Sequence, residues 1–158
     1  AFVIFVIIWS TIVYAPLAHW MWSADGWLGL GGWGAMDFAG GAVVHVSSGF
    51  AALAAALIFG RRLGYGKDQM QPHNIPFVVL GAGLLWFGWF GFNAGSALTS
   101  GGSATNAFVV THAAAAMAAL TWAALSYFHT GKVSVVGTAT GAVAGFRAAT
   151  RTRTHLFL

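Results

Sequence analysis

Long apolar runs, separated by short polar or glycine-rich segments, dominate the chain. Four runs are long enough to cross a bilayer as helices, at about 2–21, 38–60, 75–98 and 104–128. A helical span needs about 20 mostly apolar residues to cross a hydrocarbon core of roughly 30 Å. A fifth, shorter run covers about 133–145. The runs are too long and too rich in alanine to be barrel strands, so the pattern predicts a bundle of about five transmembrane helices.

The connections between these runs predict how the helices are oriented. Because each span reverses the chain, alternate connections lie on the same side of the membrane. The second and fourth connections carry the basic residues found between the runs, namely Arg61, Arg62, Lys67 and Lys132. Basic loops are kept in the cytoplasm, so we expect the first and third helices to run outward.

The composition narrows the class of protein. With 58% hydrophobic and 6% charged residues, the chain cannot build a water-facing surface, since soluble domains carry about 25% charged residues. The absence of Cys excludes disulfides, thiolate metal sites and cysteine nucleophiles. No basic face alternates with polar residues along an element, so we expect no nucleic acid partner. The composition predicts an all-α integral membrane protein surrounded by the lipid bilayer.

The two ends of the chain depart from the pattern of a whole membrane domain. The chain opens directly in an apolar run with no basic segment before it, unlike a signal peptide. We therefore expect it to be part of a longer protein. Near the other end, Arg147, Arg151 and Arg153 fall where the fifth helix should still be crossing. Each would cost about 2.5–3.5 kcal/mol at the bilayer centre.

Asp37 and His45 are the candidate functional residues of the second run. A carboxylate at the start of a helix is typical of a cap that satisfies free backbone N–H groups, with direct cation coordination as the alternative. His45 lies about 12 Å further along the helix axis. Ionisable residues at such depth usually line a pathway. A core histidine bonded to a neighbouring helix is the other interpretation.

A second group of candidates lies at the predicted outer level, where the first and third runs end. An indole face attracts cations and a hydroxyl oxygen accepts an N–H bond, so Trp22 and Ser96 are candidates for a cation site. An interfacial aromatic belt is the alternative for Trp22. Phe92, one turn before Ser96, could form an apolar constriction. His112 lies at a depth comparable with His45, and two histidines at one depth could bind a haem.

Two long motifs carry a resemblance to a known family. Asp37–His45 reads DFAGGAVVH, and Trp86–Ala97 reads WFGWFGFNAGSA. In this order and at this distance they resemble the signatures of the Amt branch of the ammonium transporter family (Amt/MEP/Rh). Thr111-His112 before an alanine run, and the segment GAVAG at 141–145, are similar to bacterial members. We interpret residues 1–145 as a partial ammonium transporter membrane domain.

The resemblance implies a fold and an outer recruitment site. The family fold is an eleven-helix monomer assembled as a homotrimer, with a pore through each subunit, and this chain would supply about its fourth to eighth helices. Trp22 and Ser96 match the outer site that recruits ammonium. Asp37 matches the acidic residue that supports this site structurally.

The resemblance also implies the pore residues. Phe92 matches one of two stacked gate phenylalanines, Trp89 matches a pore tryptophan, and His45 matches the first of two pore histidines. The second histidine and the other gate phenylalanine belong to helices outside this chain. After Gly145 the sequence departs from the family pattern. A shifted reading frame or a cloning artefact would explain residues 146–158, and we assign no function to Arg147 through Leu158.

The resemblance thus implies a channel or transporter for ammonium and methylammonium rather than an enzyme. It implies no cofactor or metal, a cell (plasma or inner) membrane location, and a PII-type signalling protein as a partner of the full-length protein. Ammonium would be recruited outside and pass, deprotonated, through a hydrophobic pore that contains His45. An ammonium sensor of the same fold that transports little is the alternative, and a membrane haem protein using His45 and His112 is a third possibility.

Overall fold

Helices make up all the regular secondary structure that the computed structural model describes, over residues 1–68 and 70–149. In chain order they are α1 (Phe2–Trp22), α2 (Gly41–Phe59), α3 (Ile75–Gly95), α4 (Gly102–Thr130) and α5 (Val135–Ala149). The first four are long and apolar enough to cross a membrane. This confirms the prediction of an all-α, polytopic membrane fold.

The described residues fall into two compact units, divided after Asp68. The first unit holds α1 and α2, joined by a glycine-rich and tryptophan-rich loop at 23–40. The second unit holds α3, α4 and α5. Each unit contains some of the candidate site residues.

Both helices of the first unit contain a wide turn with i→i+5 hydrogen bonding. The turns cover Ser10–Tyr14 in α1 and Gly41–Val46 in α2. Such turns are rare and are found frequently at functional sites. The hydropathy pattern placed the start of the second span near residue 38, but the helix begins at Gly41. The reason is Gly40, whose φ of 84° lies in the left-handed region that a right-handed helix cannot contain.

The ends of the other helices are set by local capping. The Asn74 side chain accepts a hydrogen bond of 3.0 Å from the backbone N–H of Phe77, and a proline lies in the first turn of α3, both common at helix starts. Helix α3 ends at Gly95, three residues before the predicted end at 98. Leu98 has a φ of 54° and belongs to the turn that follows. Gly131, with a φ of 72°, closes α4.

In the second unit, α5 packs against α4 along the glycine row Gly137, Gly141 and Gly145, which are all buried. A β-carbon added at Gly145 would lie 2.5 Å from the carbonyl oxygen of Ala114. One added at Gly141 would lie 2.7 Å from the carbonyl oxygen of Ala118. Small residues at this spacing let membrane helices approach closely. The glycine row therefore sets the distance between these two helices.

The tail predicted at 146–158 lies mostly outside the described residues, which end at 149. Within them, α5 continues through Phe146, which is fully buried, to Ala149. The explanation of the tail by a shifted frame or a cloning artefact stays a prediction.

The glycine row makes a testable prediction for stability. We expect Gly145→Ala to lower the melting temperature of the protein in detergent, because the added methyl group must push α5 away from the α4 backbone. Overpacking of this kind costs about 1–3 kcal/mol. The measurement is the loss of helical circular dichroism on heating.

Gly88→Ala is the matched control. A β-carbon at Gly88 meets nothing within 4 Å among the described residues, so this variant gains helix propensity without a collision. If the Gly145→Ala protein melted as high as the Gly88→Ala protein, the close packing of α5 on α4 would be contradicted.

Candidate functional site

The loop after α1 folds back tightly onto the end of that helix. The carbonyl oxygen of Trp20 accepts hydrogen bonds from the backbone N–H groups of Leu28 and Gly29, each 3.1 Å long. A β-carbon at Gly29 would lie 2.2 Å from the carbonyl oxygen of Met21. Only glycine allows this approach, so the loop composition serves to hold the end of α1 in place.

Trp22 is the last residue of α1, and its indole is held in one orientation. The indole Nε1–H donates a 2.8 Å hydrogen bond to the backbone carbonyl oxygen of Asp37. The side chain is nevertheless 47% exposed. The N–H edge is used inside the protein, while nearly half of the side chain, which carries an electron-rich ring surface, stays accessible. Such a surface attracts cations.

The Asp37 carboxylate caps α2 from four residues before its start. Its Oδ1 accepts a hydrogen bond of 2.6 Å from the backbone N–H of Gly41, and its Oδ2 accepts bonds of 2.8 and 2.9 Å from those of Ala42 and Val43. A carboxylate at a helix N-terminus also faces the positive end of the helix dipole. These contacts support capping over direct cation coordination, the two alternatives that the sequence left open.

His45 lies in the wide first turn of α2 that Asp37 caps. The backbone N–H of His45 donates to the carbonyl oxygen of Gly40 over 3.0 Å. Its side chain is half-buried, and the neighbouring Val43 is fully buried. In the first unit, the hydrogen bonds of Trp22, Asp37 and His45 thus all involve backbone groups near the start of α2.

Another acidic group of the loop, Asp25, is exposed to solvent. A hydrogen bond from the Ser23 hydroxyl lowers the pKa of the Asp25 carboxyl below its usual value, with smaller effects from its own backbone N–H and from the nearby His19. Asp25 therefore stays ionised at neutral pH and adds negative charge to this loop.

In the second unit, the candidate residues Trp89 and Phe92 lie on one face of α3, and Ser96 directly follows the helix at a spacing that continues this face. The ring centroids of Trp89 and Phe92 are 5.4 Å apart. The Ser96 hydroxyl donates a 2.7 Å hydrogen bond to the carbonyl oxygen of Phe92. Its oxygen keeps lone pairs that can accept an N–H bond from a ligand.

Sequence reasoning missed Asn93, which lies about one helical turn after Trp89 on α3. It is 1% exposed, and its Nδ2 donates to the Thr111 hydroxyl of α4 over 2.9 Å and to the carbonyl oxygen of Phe146 of α5 over 3.3 Å. The signal that could have found it is the rarity of a side-chain amide in an apolar membrane helix. The partners themselves could not be found from local patterns.

His112, the candidate for a haem ligand, packs against aromatic rings of α3. Its ring centroid lies 5.5 Å from that of Trp86 and 6.0 Å from that of Phe90. No group of three or more His, Asp or Glu side chains that could hold a metal ion occurs within residues 1–68 and 70–149. The structure thus gives His112 an aromatic environment and adds no ligand set around it.

Comparison with known proteins decides the family. The sequence matches the profile of the Ammonium Transporter Family over residues 1–155. The chain belongs to the ammonium transporter family. It is 50% identical over 150 residues to the ammonium transporter Amt1 of Archaeoglobus fulgidus, and 52% identical over 151 residues to an ammonium transporter of Aquifex aeolicus. Both matches cover 95% of this chain.

Solved structures agree with this assignment. The chain superimposes on the crystal structure of Candida albicans Mep2 with a TM-score of 0.81 at 44% identity, over 93% of this chain and 33% of that one. For Saccharomyces cerevisiae Mep2 the TM-score is 0.79 at 40% identity, over 91% and 33%. The chain spans 37% of the length of the Archaeoglobus relative and 34% of the Aquifex relative. It therefore corresponds to about a third of a family member.

The capping by Asp37 makes a prediction for this family member. We expect Asp37→Ala to destabilise the start of α2, because three backbone N–H groups lose their acceptor. The loss should be about 1–3 kcal/mol, typical of unsatisfied buried donors. Amide hydrogen exchange at Gly41, Ala42 and Val43 measures it, and faster exchange is expected there.

The matched variant is Asp25→Ala, which removes an exposed carboxylate of the same loop. It should leave exchange at these three amides unchanged. Equal exchange in the Asp37→Ala and Asp25→Ala proteins would contradict the capping role.

Proposed function

We propose that this protein forms part of a channel or transporter that takes ammonium from outside the cell into the cytoplasm. Trp22 and Ser96 recruit NH₄⁺, Asp37 holds the recruitment residue Trp22 in place, and Trp89, Phe92 and His45 line the pore. Family membership supports the substrate, since the relatives carry the name ammonium transporter. The observation that carries the proposal is the fixed, half-exposed indole of Trp22.

The chemistry of recruitment follows from which groups remain available. The indole N–H of Trp22 is donated to the Asp37 carbonyl oxygen. The hydroxyl hydrogen of Ser96 is donated to the Phe92 carbonyl oxygen. What each residue can still offer a ligand is an electron-rich face or an oxygen lone pair. These groups attract a small cation that carries N–H donors. Methylammonium fits the same description and is a proposed substrate.

Passage through the membrane is less costly if the cation first loses its charge. Moving an unpaired ammonium-type ion into an apolar medium is far more costly than moving a neutral amine. We therefore place deprotonation before the narrow section at Phe92, with the released proton moving separately from ammonia or along the pore histidines. A neutral imidazole at His45 can donate at one nitrogen and accept at the other, so it can pass ammonia without holding a full charge.

The setting of this activity follows the family resemblance. We propose a multi-pass location in the plasma or inner membrane, assembly as a homotrimer, and regulation of the full-length protein by a PII-type signalling protein. A sensor that binds ammonium with little transport is the competing function, and it is separated from transport by the experiment below.

The proposal is tested in a chimaeric transporter, in which this chain replaces the 150 matched residues of Archaeoglobus fulgidus Amt1. The chimaera supplies the rest of the bundle. Uptake of labelled methylammonium into proteoliposomes gives the apparent KM and the maximal rate per inserted protein. Binding without uptake in the unsubstituted chimaera, together with uptake by Amt1 itself, would favour the sensor.

We expect Trp22→Ala to raise the KM for methylammonium about 5-fold, since cation–π attraction contributes about 0.5–2 kcal/mol. Trp33→Ala is the control, because Trp33 is a 79% exposed tryptophan of the loop that follows Trp22. It should leave the KM unchanged. An unchanged KM in the Trp22→Ala chimaera would exclude this residue from recruitment.

For the pore, we expect His45→Ala to lower the maximal rate at least 10-fold with little change of KM, because the imidazole acts after recruitment. His112→Ala removes a histidine predicted at similar depth and should retain the rate. A His45→Ala chimaera with the full rate would contradict the pore role, and loss of rate only in His112→Ala would reverse the assignment.

A further inference from the structure

We propose that Asn93 is a positioning residue that fixes the candidate recruitment and gate face of α3. This inference rests on the proposed function, because the residues that Asn93 positions are those assigned to recruitment and the gate. The side chain joins three helices through one amide group.

The hydrogen bonds of this amide have a defined direction. The Thr111 hydroxyl donates to the carbonyl oxygen of Ala107 over 2.6 Å, so its oxygen is the acceptor toward Asn93 Nδ2 at 2.9 Å. The second amide hydrogen points to the carbonyl oxygen of Phe146 at 3.3 Å. Both hydrogens of the Asn93 side chain are thus donated, one to α4 and one to α5.

Burial makes these bonds strong determinants of position. Asn93 is 1% exposed, and Thr111 and Phe146 are fully buried. A donor that left its acceptor here would find no water, and an unsatisfied buried amide is costly. Rotation or sliding of α3 relative to α4 and α5 would break both bonds, so the amide resists both movements.

The same contacts extend to the gate through aromatic rings. The ring of Phe146 lies 5.2 Å from that of Trp89 in a stacked arrangement, and 5.2 Å from that of Trp86 edge-on. Trp89 in turn lies 5.4 Å from Phe92. Holding Phe146 by its carbonyl therefore also holds the stack on which Phe92 rests.

Position along α3 connects Asn93 to the recruitment residue. Asn93 follows Phe92 directly, about 100° around the helix, and precedes Ser96 by three residues, the spacing at which two side chains share a helix face. Ser96 is bonded to the Phe92 carbonyl. Fixing the rotation of α3 at Asn93 therefore fixes the direction of both the gate ring and the hydroxyl.

One property of Asn93 allows position to be separated from stability. Its Oδ1 is buried and accepts no hydrogen bond from residues 1–68 or 70–149. Leucine has a similar size, and Asn93→Leu removes this unsatisfied oxygen along with the two bonds. Thr111 keeps its bond to Ala107 in that variant. We expect a melting temperature within a few degrees of the unsubstituted chimaera.

The test measures methylammonium uptake in the chimaera for Asn93→Leu, Thr111→Val and Thr111→Ser. We expect Asn93→Leu to raise the KM about 5-fold and to change the maximal rate less, because recruitment geometry is lost while the pore remains. Thr111→Val should give part of this effect, since it removes the acceptor. Thr111→Ser keeps the hydroxyl and should behave as the unsubstituted chimaera.

The double variant Asn93→Leu/Thr111→Val completes a thermodynamic cycle. If the two residues act through one bond, its KM should equal that of Asn93→Leu. Additive effects, or an unchanged KM in Asn93→Leu, would overturn the inference. If Asn93→Leu does not fold, the comparison of Thr111→Val with Thr111→Ser decides, and equal KM values in that pair would overturn it.

Failure of this inference differs from failure of the proposed function. If only the inference about Asn93 fails, Trp22→Ala and His45→Ala still impair uptake, and the Asn93 and Thr111 variants leave uptake unchanged. If the proposed function fails, Trp22→Ala and His45→Ala themselves leave uptake unchanged.

Discussion

Polar groups inside a bilayer must find their hydrogen-bond partners within the protein, and both units of this structure are organised by that constraint. In the first unit, three backbone N–H groups at the start of α2 are satisfied by the Asp37 carboxylate. In the second, both N–H groups of the Asn93 amide are satisfied from α4 and α5. Each arrangement replaces water with a single side chain. As a consequence, each fixes the backbone segment on which a candidate site residue lies.

The two arrangements depend on glycine for different reasons. Gly40 adopts the left-handed conformation that delays the start of α2 and leaves its first N–H groups facing Asp37. Gly145 lacks the β-carbon that would collide with α4. Because this β-carbon is missing, α5 comes close enough for the Phe146 carbonyl oxygen to accept a hydrogen bond from Asn93. Glycine is common in membrane bundles generally, and here its conformational freedom and its small size are used at separate, identifiable places.

The sequence predicted the parts of the structure that depend on local pattern. Hydropathy located the apolar helices, and a carboxylate near a helix start indicated the cap by Asp37. The hydropathy pattern placed the start of α2 too early, because hydropathy carries no information on the backbone conformation of Gly40. The Asn93–Phe146 contact joins residues 53 positions apart, which no periodicity encodes. The polar residues Asn93 and Thr111 were visible in the sequence, but their pairing depends on the packing of three helices.

In the proposed function, the direction of the hydrogen bonds would let Trp22 and Ser96, neither of which is charged, favour a cation. Three backbone N–H groups occupy lone pairs of the Asp37 carboxylate, so few remain to coordinate an ion directly. The N–H of Trp22 and the hydroxyl hydrogen of Ser96 are also donated internally. Each residue is left as an electron-rich surface that attracts N–H donors weakly. Weak attraction would suit the proposed transport, because an ion held by a free carboxylate would be slow to leave and spherical metal cations would compete for it.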